Sequence, residues 1–204
     1  MNIYVATPCS DFINAQSAMS LLSMRSKDRV RYGMTVTTMV YDARNDLTAA
    51  ALQNDCDRVM WIDSDMIVPP DIIDLLGADL DEGRDFVSAL YFSRKAERKP
   101  VIFKNLSFEK QDDHIIPHAD FYMDYPTDSI FRIAGCGFGA CLMKTEVLQK
   151  VTEKFGAPFN LIPGFGEDIS FCKRCEEIGI GIWCDSRIKC GHIGQYIFTE
   201  ADYK

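Results

Sequence analysis

The chain has 204 residues, 47% of them hydrophobic and 25% charged, with a formal net charge of -8. That length can bury one sizeable core. The acidic balance argues against a dedicated nucleic-acid binder, which needs a basic face to neutralise phosphates. No apolar run approaches the roughly 20 residues of a membrane-spanning helix.

The N-terminus, Met1 to Pro8, lacks the basic start and long apolar stretch of a signal peptide and reads as a strand. The expected location is cytoplasmic. Eight cysteines in such a chain are expected as free buried thiols. Cys172 and Cys175 have the spacing of a zinc-ligand pair. They fall on a predicted helix, where that spacing marks an inward face, and Cys184 and Cys190 follow irregularly.

Ile3–Thr7 reads as a first strand, with a turn at Pro8-Cys9-Ser10-Asp11. A helix is predicted over Phe12–Arg25, its apolar face formed by Phe12, Ala15, Met19 and Leu22. Met34–Val40 is the second strand. Tyr41-Asp42-Ala43-Arg44-Asn45 then leads into a helix through Leu47, Ala50, Ala51 and Leu52. Val59–Ile62 is a short buried strand, and Pro69-Pro70-Asp71 opens the next helix with proline early and an acid in the first turn. Asp85–Phe92 is a fourth strand. The alternation predicts an α/β fold, with a mostly parallel central sheet flanked by helices on both faces.

Ligands in such sheets bind beyond the carboxyl ends of the strands. The strand Val59–Ile62 ends in Asp63-Ser64-Asp65. Two residues apart on extended backbone, the two carboxylates face one space, where like charges want a cation between them. No glycine-rich phosphate loop occurs at any strand end, so a metal is the expected handle for a phosphorylated ligand.

Beyond Ser93 the pattern changes. Residues 93–99 form a charged loop, read either as a solvated face or as cations approaching a phosphate. Val101–Lys104 is a short strand, and 105–128 a hairpin and loop with His114 and His118 at the surface. Phe131–Met143 carries Gly135, Gly137 and Gly139 at alternate positions. One side of that strand has no side chains, which allows close approach of a ligand or of another backbone; a strand flooring the cleft is the favoured reading, a bulged core strand the other. A helix follows from Lys144 to about Val151. Gly164-Phe165-Gly166 is a turn into a helix that opens with Glu167-Asp168 and closes at Gly179; Ile180–Cys184 is the last strand. His192, between Gly191 and Ile193, is the candidate third metal ligand, since imidazole with carboxylates suits Mn²⁺ or a similar ion.

In this order, the Thr7-Pro8 turn, Ala43-Arg44-Asn45, Asp63-Ser64-Asp65, the glycine strand, Gly166-Glu167-Asp168 and Gly191-His192 resemble the GT-A glycosyltransferases, especially family 2-like members. The resemblance implies one GT-A (nucleotide-diphospho-sugar transferase) domain over 1–204. Residues 1–93 would be its nucleotide-sugar half and 94–204 its acceptor-side half. It implies a UDP- or GDP-sugar donor, contacted by Thr7, Pro8, Asp42, Arg44, Asn45, Asp63 and Ser64. Mn²⁺ or Mg²⁺ would be held by Asp65 and His192, with Asp63 sharing the ion or approaching the ribose. Asp168 matches the residue that contacts or deprotonates an acceptor hydroxyl, with Glu167 beside it. The activity implied is hexosyl transfer, inverting if Asp168 is the base. The segment 105–128 has no counterpart in that pattern. Two other readings stand beside it: a nucleotidyl- or phosphotransferase on a similar sheet, and a module that holds a nucleotide or glycan without turnover.

Overall fold

The structure is a computed structural model that describes residues 1–10, 12–94, 97–111 and 114–194, with the side chains of 111, 114 and 115 outside the description. Parts of the predicted turn at Asp11, the charged loop at 95–96 and the 105–128 segment at 112–113 therefore lie outside the described residues, as does the predicted surface placement of the His114 side chain.

In chain order the elements are β1 (Asn2–Cys9), α1 (Ala15–Ser23), β2 (Arg29–Val36), α2 (Val40–Gln53), β3 (Arg58–Ile62), β4 (Met66–Ile67), α3 (Ile72–Asp81) and β5 (Phe86–Leu90). They continue with β6 (Ile102–Gln111), β7 (His114–Phe121), β8 (Ile130–Ile133), β9 (Gly135–Cys136), β10 (Ala140–Lys144), α4 (Thr145–Phe155), α5 (Glu167–Glu177), β11 (Ile182–Lys189) and β12 (Gly191–His192).

The main sheet has the order β2-β1-β3-β10-β5-β11-β8. The expectation of a mostly parallel sheet holds only in part. Strands β1, β2, β3, β5 and β11 run one way, whereas β10 lies antiparallel between β3 and β5, and β8 antiparallel at the edge. The reason lies in the connections. β10 returns to the sheet from the excursion through β6–β9 and not through a crossover helix, so nothing obliges it to run parallel.

Each face of the sheet carries a core. On one, Ile3, Val5, Met60 and Ile62 pack against Leu21 of α1 and Ile72, Ile73 and Leu76 of α3. On the other, Ala6, Val59 and Trp61 pack against α2, α4 and α5 through Leu47, Leu148 and Phe171. Strand β3, the predicted Val59–Ile62 run with Arg58 added, is wholly buried, as a strand covered on both faces must be.

Three local expectations are corrected. Helix α1 begins only at Ala15, where the Asn14 side chain accepts from the Gln16 N–H at 2.8 Å. Its predicted apolar face is the outer one: Phe12 is 83% exposed, Met19 65% and Leu22 79%. The inner face carries Ser17, Ser20 and Leu21, and Ser20 Oγ accepts from the Val68 N–H at 2.8 Å while donating to its carbonyl at 3.2 Å. This helix packs on a segment whose backbone needs partners, so the Ser20 hydroxyl serves where an apolar side chain is expected, while the Ser17 hydroxyl is buried with no partner among the described residues. Strand β2 ends at Val36, because the Thr37 hydroxyl accepts from the Met39 N–H and turns the chain into α2. The glycine-rich segment is three pieces, β8, β9 and β10, not one strand.

A two-stranded pair, β4 with β12, ties the last described strand to the turn after β3. Gly191 pairs with Ile67 and His192 with Met66, and the Ile193 N–H donates to the Asp65 carbonyl at 2.8 Å. A Cβ on Gly191 would stand 3.2 Å from Ile67 Cβ, so a larger residue would crowd this contact. The hairpin β6–β7, joined to β9, forms a separate three-stranded sheet beside the main one.

Candidate active site

A cleft of about 230 Å³ opens at the carboxyl ends of β1 and β3 and the start of α2. Pro8, Cys9, Ser10, Thr37, Thr38, Val40, Ala43, Arg44, Asp63, Ser64, Asp65 and Glu167 line it. Pro8 is inside β1, not in a turn beyond it. It is tolerated because β1 pairs with β3 only as far as Ala6, so no missing N–H is felt on that side. Thr7 is buried beneath the cleft.

Asp63 and Asp65 do not lie on extended backbone. The Met66 N–H donates to the Asp63 carbonyl at 3.2 Å, closing a turn over 63–66 that sends the two carboxylates to different partners. Asp63 Oδ1 lies 2.8 Å from Arg44 Nη2. Asp65 Oδ2 lies 2.6 Å from Arg94 Nη1, and its Oδ1 faces His192 Nε2 at 3.6 Å.

Arg44 is the centre of the first group. It is buried, and its Nε reaches Glu167 Oε1 at 3.2 Å, so one guanidinium bridges the acid after β3 and the acid that opens α5. Its charge rests on a floor of aromatic rings, with centroids of Trp61, Phe138 and Phe159 at 5.6, 5.2 and 5.9 Å. Burial opposes the charge, but Asp63 and Glu167 outweigh it and hold the guanidinium firmly protonated. Its Nη1 has no hydrogen-bond partner among the described residues.

Asp168, next to Glu167, is not on the cleft wall. Burial, then the Glu167 charge, pushes its carboxyl up to about 6, against the pull of Arg44. Its Oδ1 accepts from the Ile169 N–H at 2.7 Å. Such an acid is poised to exchange a proton near neutrality.

His192 belongs to the second group. Its Nδ1 lies 2.8 Å from the Phe92 carbonyl, which can only accept, so Nδ1 carries a proton. Nε2 then faces a carboxylate oxygen, and either a second proton or a cation must stand between them. Burial depresses the basicity of this imidazole, but Asp65 and the Phe92 carbonyl together raise it above its ordinary value. Likewise burial works against ionised Asp65, while His192 and Arg94 hold its carboxyl below the usual range. A carbonyl-anchored imidazole beside a carboxylate is a donor set that fits Mn²⁺ or Mg²⁺. Among the described residues, no group of three His, Cys, Asp or Glu side chains is gathered for a metal. Asp63, expected as a further ligand, is instead turned to Arg44.

Three expected donor contacts lie off the cleft wall: buried Thr7, Asp42 and Asn45. Asp42 is exposed in the first turn of α2. Asn45 accepts from the Phe159 N–H at 2.9 Å and donates to Asn160 Oδ1 at 3.1 Å, so its amide holds the loop before α5. The glycines, too, have another occupant. A Cβ on Gly137 would stand 2.1 Å from Tyr91 Oη, and one on Gly139 2.7 Å from Tyr91 Cζ. The Tyr91 ring fills the space that the sequence suggested for a ligand, and its hydroxyl accepts from the Gly139 N–H at 3.1 Å. That ring also meets His192 edge-on at 5.5 Å. Sequence reasoning missed Tyr91, and it placed Arg94 only within the cationic run 93–99, read as a solvated face or as cations approaching a phosphate, with no link to Asp65.

No protein-family model and no curated protein sequence matches the chain. Solved structures do. The crystal structure of A197 from STIV aligns with a TM-score of 0.65 at 18% identity, over 95% of this chain and 86% of that one. The crystal structure of GalNAc-T7 with UDP, GalNAc and Mn²⁺ aligns with a TM-score of 0.63 at 10% identity, over 96% of this chain. The fold is GT-A-like. This chain spans 43% of the GalNAc-T7 chain, so the likeness concerns the GT-A-like core and not that whole protein. No helix among the described residues is long and apolar enough to cross a membrane.

Proposed function

We propose that the chain is a metal-dependent glycosyltransferase, family 2-like, that moves a hexosyl group from a UDP- or GDP-sugar to an acceptor hydroxyl with inversion. The observation that carries this reading is the pairing of Asp65 with His192, 3.6 Å apart beside a cleft at the strand ends of a GT-A-like sheet. The presence of UDP, GalNAc and Mn²⁺ in the GalNAc-T7 structure supports it.

In this reading residues 1–93 form the donor half and 94–204 the acceptor half of one cytoplasmic domain. Asp65 and His192 hold Mn²⁺ or Mg²⁺, and Asp63 keeps the Asp65 turn in register through Arg44. When bound, the ion supplies Lewis-acid neutralisation of the departing diphosphate. Pro8, Ser64 and the first turn of α2 receive the nucleoside, with Thr7 buried beneath them. Asn45 acts indirectly, by fixing the 159–160 loop. Asp168 takes the proton of the attacking hydroxyl, a role worth about 10²–10⁴ in rate. Glu167 raises the Asp168 carboxyl toward that task and is itself held by Arg44.

Thermal shift with UDP, GDP and CMP, each with and without Mn²⁺, tests the reading. Stabilisation by UDP or GDP that requires Mn²⁺ is expected. Absence of any nucleotide response with or without Mn²⁺ would refute it, and binding without release of nucleotide from a panel of nucleotide-sugars would leave a binding module.

A further inference from the structure

We propose that Arg94 is a resident counter-cation of Asp65. It competes with a divalent ion for that carboxylate and, once displaced, turns to the diphosphate of the donor. This rests on the glycosyltransferase reading and assigns a role to a residue outside its expected site.

Three observations carry it. First, the two oxygens of Asp65 are divided: Oδ1 faces His192 Nε2, and Oδ2 takes Arg94 Nη1 at 2.6 Å. A divalent ion on Asp65 and His192 would stand within a few ångströms of that guanidinium. Two cations on one carboxylate repel, so each weakens the other, and by linkage the effect is reciprocal.

Second, among the described residues Arg94 is held by little else. Its side chain is half-exposed, and its other polar contact among those residues is a long one, 3.4 Å to the Ile193 carbonyl. The stem lies flat along Gly194, where a Cβ would stand 3.5 Å from Arg94 Cβ and Cγ. Nothing in these contacts prevents the guanidinium from swinging off.

Third, it has somewhere to go. A second recess of about 500 Å³ opens at this corner, lined by Ser10, Phe12, Asn14, Ser64, Asp65 and Arg94. It shares Ser10, Ser64 and Asp65 with the first cleft. Arg94 therefore stands on the wall of the second recess, paired with Asp65, one of the residues the two share. A diphosphate brought to Asp65 by its metal would meet a free guanidinium there, whose planar donors suit phosphate oxygens.

The test compares wild type with Arg94→Met, which keeps the stem and removes the charge, and with Arg94→Lys. Mn²⁺ is titrated without nucleotide and followed by electron paramagnetic resonance of the free ion. Then UDP and GDP are titrated calorimetrically at saturating Mn²⁺. Arg94→Met is expected to bind Mn²⁺ about tenfold more tightly, and then to bind the nucleotide about tenfold more weakly. Arg94→Lys should fall between. Opposite signs in the two titrations are the signature, since mere damage to the fold would weaken both. Unchanged or weaker Mn²⁺ binding by Arg94→Met, with wild type binding normally, would overturn the proposal and leave the glycosyltransferase reading intact. Equal nucleotide affinity would overturn the second step. Failure of both proteins to bind Mn²⁺ would overturn the proposal and the metal reading together.

Discussion

His192 Nε2 lies 3.6 Å from Asp65 Oδ1, and the register that brings them together is backbone, not side chain. Strand β12 pairs with β4, and the Ile193 N–H donates to the Asp65 carbonyl, so the two groups meet whatever their charge. A ligand pair held this way is pre-organised. Its side chains can be changed without moving the strands. His192→Ala and Asp65→Asn are therefore expected to melt within a few degrees of wild type, while each loses Mn²⁺ affinity by at least tenfold. The double variant should be little worse than either single one. Calorimetric Mn²⁺ titration of the three proteins checks this, and additive losses would mean that the two residues serve different ions.

Arg44 should matter for folding first. Removing a buried partner leaves Asp63 and Glu167 facing each other across a gap that only a charge fills. Breaking a buried ion pair in this way costs about 3–5 kcal/mol. Asp63 is partly exposed, so Arg44→Met is expected at the lower end, about 3 kcal/mol, in urea denaturation. Arg44→Lys should recover only part of this, because an ammonium is a point charge and does not reproduce the guanidinium's two directed contacts. Wild-type stability in Arg44→Met would show that the bridge contributes nothing.

The glycine segment gives a test of its own. Gly137→Ala places a methyl where Tyr91 Oη now lies and is expected to cost about 1–3 kcal/mol by overpacking. Tyr91→Leu should destabilise alone, yet relieve much of the cost when combined with Gly137→Ala. The double-mutant cycle reads that coupling. Simple additivity would mean that the glycine is required for some other reason.

The Asp168 carboxyl, pushed up to about 6 by burial and by Glu167, sets a pH dependence. As the base it must be ionised, so transfer is expected to rise as pH passes through about 6 and to level off above. Stability runs the other way. The native state binds this proton more tightly than the unfolded chain, whose Asp titrates near about 3.9. The stabilisation is thus full below about pH 4 and lost as pH rises through about 6, on the order of 3 kcal/mol. Asp168→Asn should lack both trends. Transfer rates and melting temperatures of the two proteins between pH 4 and 8 separate the effects.

Where the sequence was informative, the reason was a single dominating force. The run Val59–Ile62 could only be a buried strand, and the acids after it had to lie at its carboxyl end, which is where Asp63 and Asp65 are. The late Gly191-His192 step did meet the acid turn. What failed was inference by periodicity where backbone groups set the packing. Ser20 faces inward on α1 because Val68 needs hydrogen-bond partners, and no count of apolar residues reveals that. Gly137 and Gly139 were rightly read as leaving a space, but the occupant, Tyr91, lies far along the chain. The turn that parts Asp63 from Asp65 is one hydrogen bond, from the Met66 N–H. The antiparallel β10 follows from a long excursion whose return path has no local signature.

The central claim is that Asp65 and His192 hold one divalent ion beside a nucleoside diphosphate. Crystals grown with Mn²⁺ and UDP or GDP, measured at the manganese edge, test it most directly. The account predicts an anomalous peak between Asp65 Oδ1 and His192 Nε2, within bonding distance of both and of the diphosphate, with Arg94 withdrawn from Asp65. An anomalous peak elsewhere, or nucleotide bound in the cleft with Asp65 still paired to Arg94 and no metal between it and His192, would contradict it.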